Sequence, residues 1–209
     1  MKCSLRHERA LFERGVQVVA GIDEAGRGPL AGPVVVAAVI LPRKFRHKRL
    51  RDSKQLCAAH REEIYAELTC LPDLVWITDH ADHEEIDRIN ILRATHQAMR
   101  RAASALSVIP EHVLIDGLPV RPFPFPHTAL VDGDALSFSI AAASVIAKVT
   151  RDRMMRELDA LHPGYEFAQH KGYATELHLE RLKAHGPCPI HRRSFLPVRQ
   201  ALFAFAEID

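Results

Sequence analysis

Hydrophobic positions along this chain fall into short β-branched runs and longer stretches with helical spacing. Val18–Ile22 and Pro33–Leu41 are continuous apolar runs, the second with four valines and an isoleucine, as buried strands require. Between them stand Asp23, Glu24 and a glycine-rich segment. The two acids are expected to close the first strand. Successive strand side chains point to opposite faces, so the chain must bend for both to serve one site, and Gly26 and Gly28 permit the bend. Before this unit, Leu5–Gly15 reads as a short amphipathic helix or arm.

Helical composition returns over Ala58–Leu71, with Ile64, Leu68 and Leu71 on one face. Pro72-Asp73 ends that helix, Leu74–Thr78 is a short strand, and Ala81–Ile86 a helical turn. Ile91–Leu106 is a longer helix, and Val113–Ile115 a buried strand stopped at Asp116-Gly117. Leu118–His127 holds four prolines and reads as irregular. Thr128–Val131 is a further strand, closed by Asp132-Gly133-Asp134. Ser139–Leu161 is strongly helical until His162-Pro163-Gly164 stops it. A loop to Tyr173, a helix over Thr175–His185, an irregular stretch over Pro187–Pro197 and a helix over Val198–Ala206 complete the chain. Strands and helices mixed in this way predict an α/β domain around one sheet.

Composition narrows the setting. The 209 residues fit one domain, and 47% hydrophobic residues supply a sizeable core. The net charge of +2 is nearly balanced, but Arg43–Lys54 carries seven lysines or arginines. Four scattered cysteines, with no C-x-x-C pair, suggest reduced thiols rather than disulfides or a structural zinc. No apolar run approaches a membrane span, and the N-terminus is too polar for a signal peptide. A cytoplasmic protein with no membrane contact is expected.

Candidate chemistry rests on acids at strand ends. Asp23 and Glu24 follow one strand, Asp116 a second, and Asp134 a third apolar segment. Taken alone, Asp116-Gly117 and Asp132-Gly133 are ordinary turn formers. Two consecutive acids beside a core strand are harder to explain as a turn, because burying them is costly without a cation. A several-carboxylate set without thiolates suits Mg²⁺ or Mn²⁺, and a metal pair of this kind supports phosphodiester cleavage. Gly26–Ala31 also fits the G-x-G-x-x-A pattern of dinucleotide sites. That motif must open a helix, whereas Pro29, Gly32 and Pro33 lead into a strand. The dinucleotide reading therefore fails. Among thirteen histidines, no H-x-x-x-H pair stands with a third ligand, so hydrogen-bonding or surface roles are expected.

The stretch G-I-D-E-A-G-R-G-P-L-A-G-P-V-V-V-A-A-V-I-L resembles the opening motif of ribonuclease HII, the type 2 ribonuclease H of bacteria. The resemblance continues through Asp52-Ser53-Lys54, Glu84–Leu92, Leu114–Gly117, Ile140–Asp152, Phe167–Thr175 and His191–Phe195, collinear over nearly the whole chain. It implies an RNase H-like mixed β-sheet core flanked by helices, with a helical C-terminal part over about 165–209 of a single catalytic domain. It also implies that Asp23, Glu24, Asp116 and Asp134 hold two Mg²⁺ or Mn²⁺ ions. The implied activity cuts RNA·DNA hybrids, and duplex DNA on the 5′ side of a single ribonucleotide, leaving 3′-hydroxyl and 5′-phosphate ends. The roles implied are removal of misincorporated ribonucleotides from DNA and of RNA primers.

By the same resemblance, Gly26, Arg27 and Gly28 sense the ribose 2′-hydroxyl, and Tyr173 packs on the sugar beyond the junction. Lys54, Ser144 and Lys148 contact phosphates, the last two sharing one helix face. A monomer is expected, and the family's tie to a replication clamp has no mark in Phe203–Asp209. A non-catalytic binding domain on this scaffold would lose acids, and all four are present. Two departures stand out. Leu136 occupies a position where a basic residue is frequent in relatives, and Cys57-Ala58-Ala59 weakens the expected helix cap.

Overall fold

The computed structural model describes residues 3–50 and 57–206. Lys54, and the Asp52-Ser53-Lys54 block with it, lies outside the described residues. Five strands form one mixed sheet: β1 (Val19–Ala25), β2 (Val34–Ile40), β3 (Val75–Ala81), β4 (His112–Asp116) and β5 (His127–Leu130), in the order β3-β2-β1-β4-β5. β1, β2 and β3 form an antiparallel meander, while β4 and β5 add in parallel on the other side of β1. β1 therefore lies at the centre, paired on both edges. The helices are α1 (Arg6–Glu13), α2 (Ala58–Thr69), α3 (His83–Ile89), α4 (Ile91–Ser104), α5 (Phe138–Leu161), α6 (Phe167–His170), α7 (Glu176–His185) and α8 (Leu196–Ala206).

Strand alternation divides the core into two layers. Ala20, Ile22, Val36, Ala38, Val113 and Ile115 point to one face and pack against Ala98, Met99, Ala102 and Ala103 of α4. Ala25, Ala37 and Val39 point to the other face, toward Ala141–Ala143, Ile146 and Val149 of α5, with Ile64 and Leu68 of α2 beyond. The small residues of α5 let it lie close on the sheet. A Cβ at Gly21 would fall 2.2 Å from the carbonyl carbon of Ser139, so only glycine fits beneath this crossing. Ser137 caps α5 through the Ile140 N–H, and the buried Glu8 of α1 accepts from the Ser137 hydroxyl at 2.6 Å and the Ser139 N–H at 2.9 Å. An acid at a helix N-terminus is favourable in any case. This one ties the N-terminal arm to the start of α5.

The observed boundaries correct the expected ones in instructive places. β1 does not end at Ile22 but runs through Asp23 and Glu24 to Ala25, because its backbone stays paired with β2 as far as Ala25–Val35. The ladder holds the strand, and the acids project from it. The strand expected at Leu74–Thr78 extends to Ala81, paired with Val34, and the helical turn after it is a separate helix capped by Asp82. α8 begins at Leu196, inside the stretch read as irregular, and α6 interrupts the loop before Tyr173. As the sequence indicates, Cys57 precedes α2 without providing a side-chain cap. Among the described residues, no helix is long and apolar enough to cross a membrane.

Candidate active site

At the C-terminal end of β1, the parallel register places two acids side by side. Ile22 pairs with Ile115, so the next rung brings Asp23 level with Asp116. Adjacent strands lie about 4.8 Å apart, and both side chains point to the α5 face. Asp23 is 4% exposed, and its Oδ1 accepts from the Glu24 N–H at 2.7 Å. The Ser144 hydroxyl of α5 also hydrogen-bonds to it. Glu24 projects to the opposite face and meets Arg27 at 3.3 Å. Asp116 accepts from the Gly133 N–H at 2.7 Å, which fastens the turn carrying Asp134 to the end of β4. Asp134 sits in that 3₁₀ turn, 2% exposed.

These elements enclose a cavity of about 220 Å³ lined by Asp23, Glu24, Ala25, Gly26, Arg27, Asp116, Ser144, Lys148 and Tyr173. Three of the four expected acids line it, from both faces of β1, because the cavity lies beyond the strand end. Asp134 is not among the lining residues. No bend within β1 is needed for Asp23 and Glu24 to share the site. Lys148 donates to Asp152 at 2.6 Å and stands 5.6 Å from the Tyr173 ring centre, with Tyr173 itself 40% exposed.

The acids of the cavity oppose one another electrostatically. Burial, and then the neighbouring charges of Glu24 and Asp116, push the Asp23 carboxyl well above the usual carboxylate range. The donor set is all oxygen, as hard divalent ions demand. Among the described residues, no three Asp, Glu, His or Cys side chains are gathered tightly enough to hold a metal ion as they stand. Close approach of several carboxylates without a cation is opposed by the same repulsion that raises Asp23.

Two buried arginines escaped the sequence reading. Arg151 of α5 donates to the carbonyls of Ala31, Pro33 and Lys171. Arg192 donates to those of Gly26, Arg27, Pro29 and Gly32 at 2.7–3.0 Å. Both are 0% exposed. Gly26 takes a φ of +99°, and a Cβ there would fall 2.0 Å from the Arg151 Nε, so the position requires glycine twice over. Beneath Tyr173 lies a histidine cluster. His178 Nδ1 must donate to the Tyr173 carbonyl at 2.9 Å, leaving its Nε2 to accept from His191 Nε2 at 3.0 Å. The Nδ1 of His191 is then an acceptor, and the Cys188 N–H donates to it at 3.0 Å. His170 stacks on His178 at 4.2 Å and accepts from the Gly172 N–H. Single histidines and arginines, whether on α5, α6 and α7 or in the segment before α8, carry no periodicity that would betray such burial. The blocks Ile140–Asp152, H-K-G-Y and H-R-R-S-F contain Arg151, His170, His191 and Arg192 without assigning them a role.

The ribonuclease HII family model matches residues 20–198. The chain belongs to the ribonuclease HII family. It is 52% identical to the ribonuclease HII of Myxococcus xanthus over 97% of this chain and 69% of that one. It is 56% identical to that of Xanthomonas campestris pv. campestris strain B100, over 89% of this chain and 78% of that one. Among solved structures, the ribonuclease H2 of Pyrococcus horikoshii superposes with a TM-score of 0.71 at 26% identity, covering 91% of this chain and 100% of that one. The RNase HII of Archaeoglobus fulgidus, solved in a complex with PCNA, gives a TM-score of 0.67 at 27% identity, covering 86% and 96%. Bst-RNase HIII, solved with Mn²⁺, shares the fold at a TM-score of 0.73 and 21% identity, covering 93% and 71%. Ribonuclease HII enzymes are metal-dependent endoribonucleases acting on RNA in RNA·DNA hybrids, so this protein is a hydrolase of the ribonuclease H class.

Proposed function

We propose that the protein also nicks duplex DNA on the 5′ side of a single embedded ribonucleotide, by two-metal hydrolysis leaving 3′-hydroxyl and 5′-phosphate ends. The observation that carries this reading is one cavity combining Asp23, Glu24 and Asp116 with the Gly26-Arg27 loop and Tyr173. Asp23, Glu24, Asp116 and Asp134 would hold Mg²⁺ or Mn²⁺, and the ions would supply an activated water and stabilise the leaving oxygen. Asp116 and Asp23 form the rigid floor, since both are strand residues. Asp134 stands in the turn that Asp116 anchors.

Around the acids, each residue has a separate task. Gly26, Arg27 and Gly28 read the 2′-hydroxyl, the group that separates RNA from DNA. Tyr173 offers its exposed ring face to the sugar that follows. Lys148 contacts a phosphate, and Lys54 is assigned another on resemblance alone. Ser144 supports Asp23 rather than reaching for phosphate, in keeping with its hydrogen bond to that carboxylate. Residues 1–209 work as one catalytic domain and as a monomer, serving ribonucleotide and primer removal in the cytoplasm. In favour of one domain, Gly172 and Arg192, in the segments between the helices after Gly164, hydrogen-bond the Gly26–Pro33 loop. On likeness to the Archaeoglobus complex, the reading extends to a replication-clamp contact; no binding in a clamp titration removes that part and leaves the nuclease intact.

The deciding assay uses a DNA duplex with one ribonucleotide, with Mg²⁺ or Mn²⁺ and then with chelator. A metal-dependent nick 5′ to the ribonucleotide is expected. Cleavage of long hybrids with no such nick would reduce the function to hybrid hydrolysis. Asp134→Asn should abolish the nick while retaining duplex binding; parallel loss of both counts against its role at the ions.

A further inference from the structure

The loop at Gly26–Pro33 has an unusual backbone. Arg151 and Arg192 side chains take the carbonyls of Gly26, Arg27, Pro29, Ala31, Gly32 and Pro33, and the Arg192 N–H takes that of Leu30 at 2.8 Å. Seven of eight consecutive carbonyls are thus drawn toward two residues. The guanidinium donors go to peptide oxygens, which a planar fork with five N–H groups can gather together and an ammonium cannot. Burying a guanidinium this deeply is costly, and desolvation pushes Arg192 down to about 9 and Arg151 to about 10. Such an expense in the core calls for a return elsewhere.

The return lies in peptide geometry. In a trans peptide, the C=O of one residue and the N–H of the next point in opposite directions. Arg192 pulls the Gly26 and Arg27 carbonyls inward, so the N–H groups of Arg27 and Gly28 are turned outward. Gly26 and Arg27 line the cavity, while Arg27 and Gly28 are exposed. Arg192 is itself held from behind. It follows His191 of the histidine cluster, and Asp87 of α3 accepts from the N–H groups of Arg193 at 2.8 Å and Ser194 at 2.9 Å.

We propose that Arg192, seconded by Arg151, is the positioning residue that aims the Arg27 and Gly28 amides at the ribose of the substrate. This rests on the reading that the loop senses the 2′-hydroxyl. The H-R-R-S-F block thereby acts on ribonucleotide selection without touching the substrate, through two peptide planes.

The test compares Arg192→Lys, which keeps the charge and loses the fork, with Gly28→Ala, whose added methyl meets nothing within 4 Å. The readouts are kcat and KM on a singly ribo-substituted duplex, Kd for the all-DNA duplex of the same sequence, and Tm. For Arg192→Lys, kcat/KM should fall about 10- to 100-fold, the size of loss a displaced positioning group causes, with the all-DNA Kd unchanged. A lowered Tm with kcat/KM intact below the transition would make Arg192 merely structural and overturn the proposal. Gly28→Ala without effect on ribonucleotide selection would remove the ribose reading itself. Loss in Gly28→Ala but not in Arg192→Lys would sink the arginine assignment alone. Should Arg192→Lys fail to fold, the wild type still decides. Its Arg192 guanidinium N–H signals in ¹⁵N NMR should exchange slowly with water and move when the ribo-substituted duplex is added in Ca²⁺, more than with all-DNA. Fast exchange, or equal shifts with both duplexes, overturns the proposal.

Discussion

Asp23 is a residue held where its charge is unwelcome. Burial raises its pKa first, and Glu24 and Asp116 raise it further. Its folded-state value lies above the unfolded one, so the metal-free fold binds more protons than the unfolded chain in the interval between them. Stability then falls as pH rises through that interval. Asp23→Asn is therefore expected to melt a few degrees above the wild type in chelator at neutral pH, while losing cleavage. Calorimetry with EDTA checks this, and a lower Tm would contradict the electrostatic account. Saturating Mg²⁺ should raise the wild-type Tm by mass action, more at pH 8 than at pH 5. Tyr173→Ala should reduce cutting at a lone ribonucleotide more than binding of plain duplex, as a comparison of kcat/KM with Kd would show. That Asp23, Glu24 and Asp116 stand together at strand ends was legible in the sequence, because paired acids closing an apolar run have no place in a core. Arg151 and Arg192 were not, since an arginine in a chain reads as a solvated side chain until its surroundings are known.

Among the elements, α5 was the easiest to read, because its small-residue run and apolar spacing extend over 24 residues. The ends of strands were harder. Polar residues at Asp23 and Glu24 looked like a stop, yet ladder bonds are made by the backbone and ignore what the side chains carry. That β4 lies beside β1 was also hidden, since parallel pairing over 93 residues of separation leaves no local trace. The junction of α3 with the segment before α8 illustrates a dependence of the same kind. Asp87 accepts three hydrogen bonds from Arg193 and Ser194, the shortest at 2.5 Å. Asp87→Ala should cost about 1–3 kcal/mol, a fall in Tm of roughly 3 °C for each kcal/mol. Urea melts would measure it. A change within error would show that water replaces the carboxylate at no cost.

Across the whole molecule, the C-terminal helices are joined to the sheet through polar groups as much as through oil. His178 and His191 share one proton between facing Nε2 atoms, and burial pushes them down to about 4 and about 3. The unfolded chain takes up protons at ordinary histidine values, before the fold does. Stability contributed by the pair is complete above about 6.5 and is lost as pH falls toward 4. Denaturant melts from pH 7 to pH 4 should show this decline, with a shallower slope in His191→Asn; equal slopes would locate the acid sensitivity elsewhere. The arginine-gathered loop has a consequence for how the protein comes into being. Residues 26–33 leave the ribosome early, but Arg192 emerges some 160 residues later. A nascent chain held short of Arg192 is expected to carry the acids on a formed sheet with the loop still loose. Discrimination between sugars would then be acquired only once Arg192 has emerged, and a chain terminated before it would never possess it.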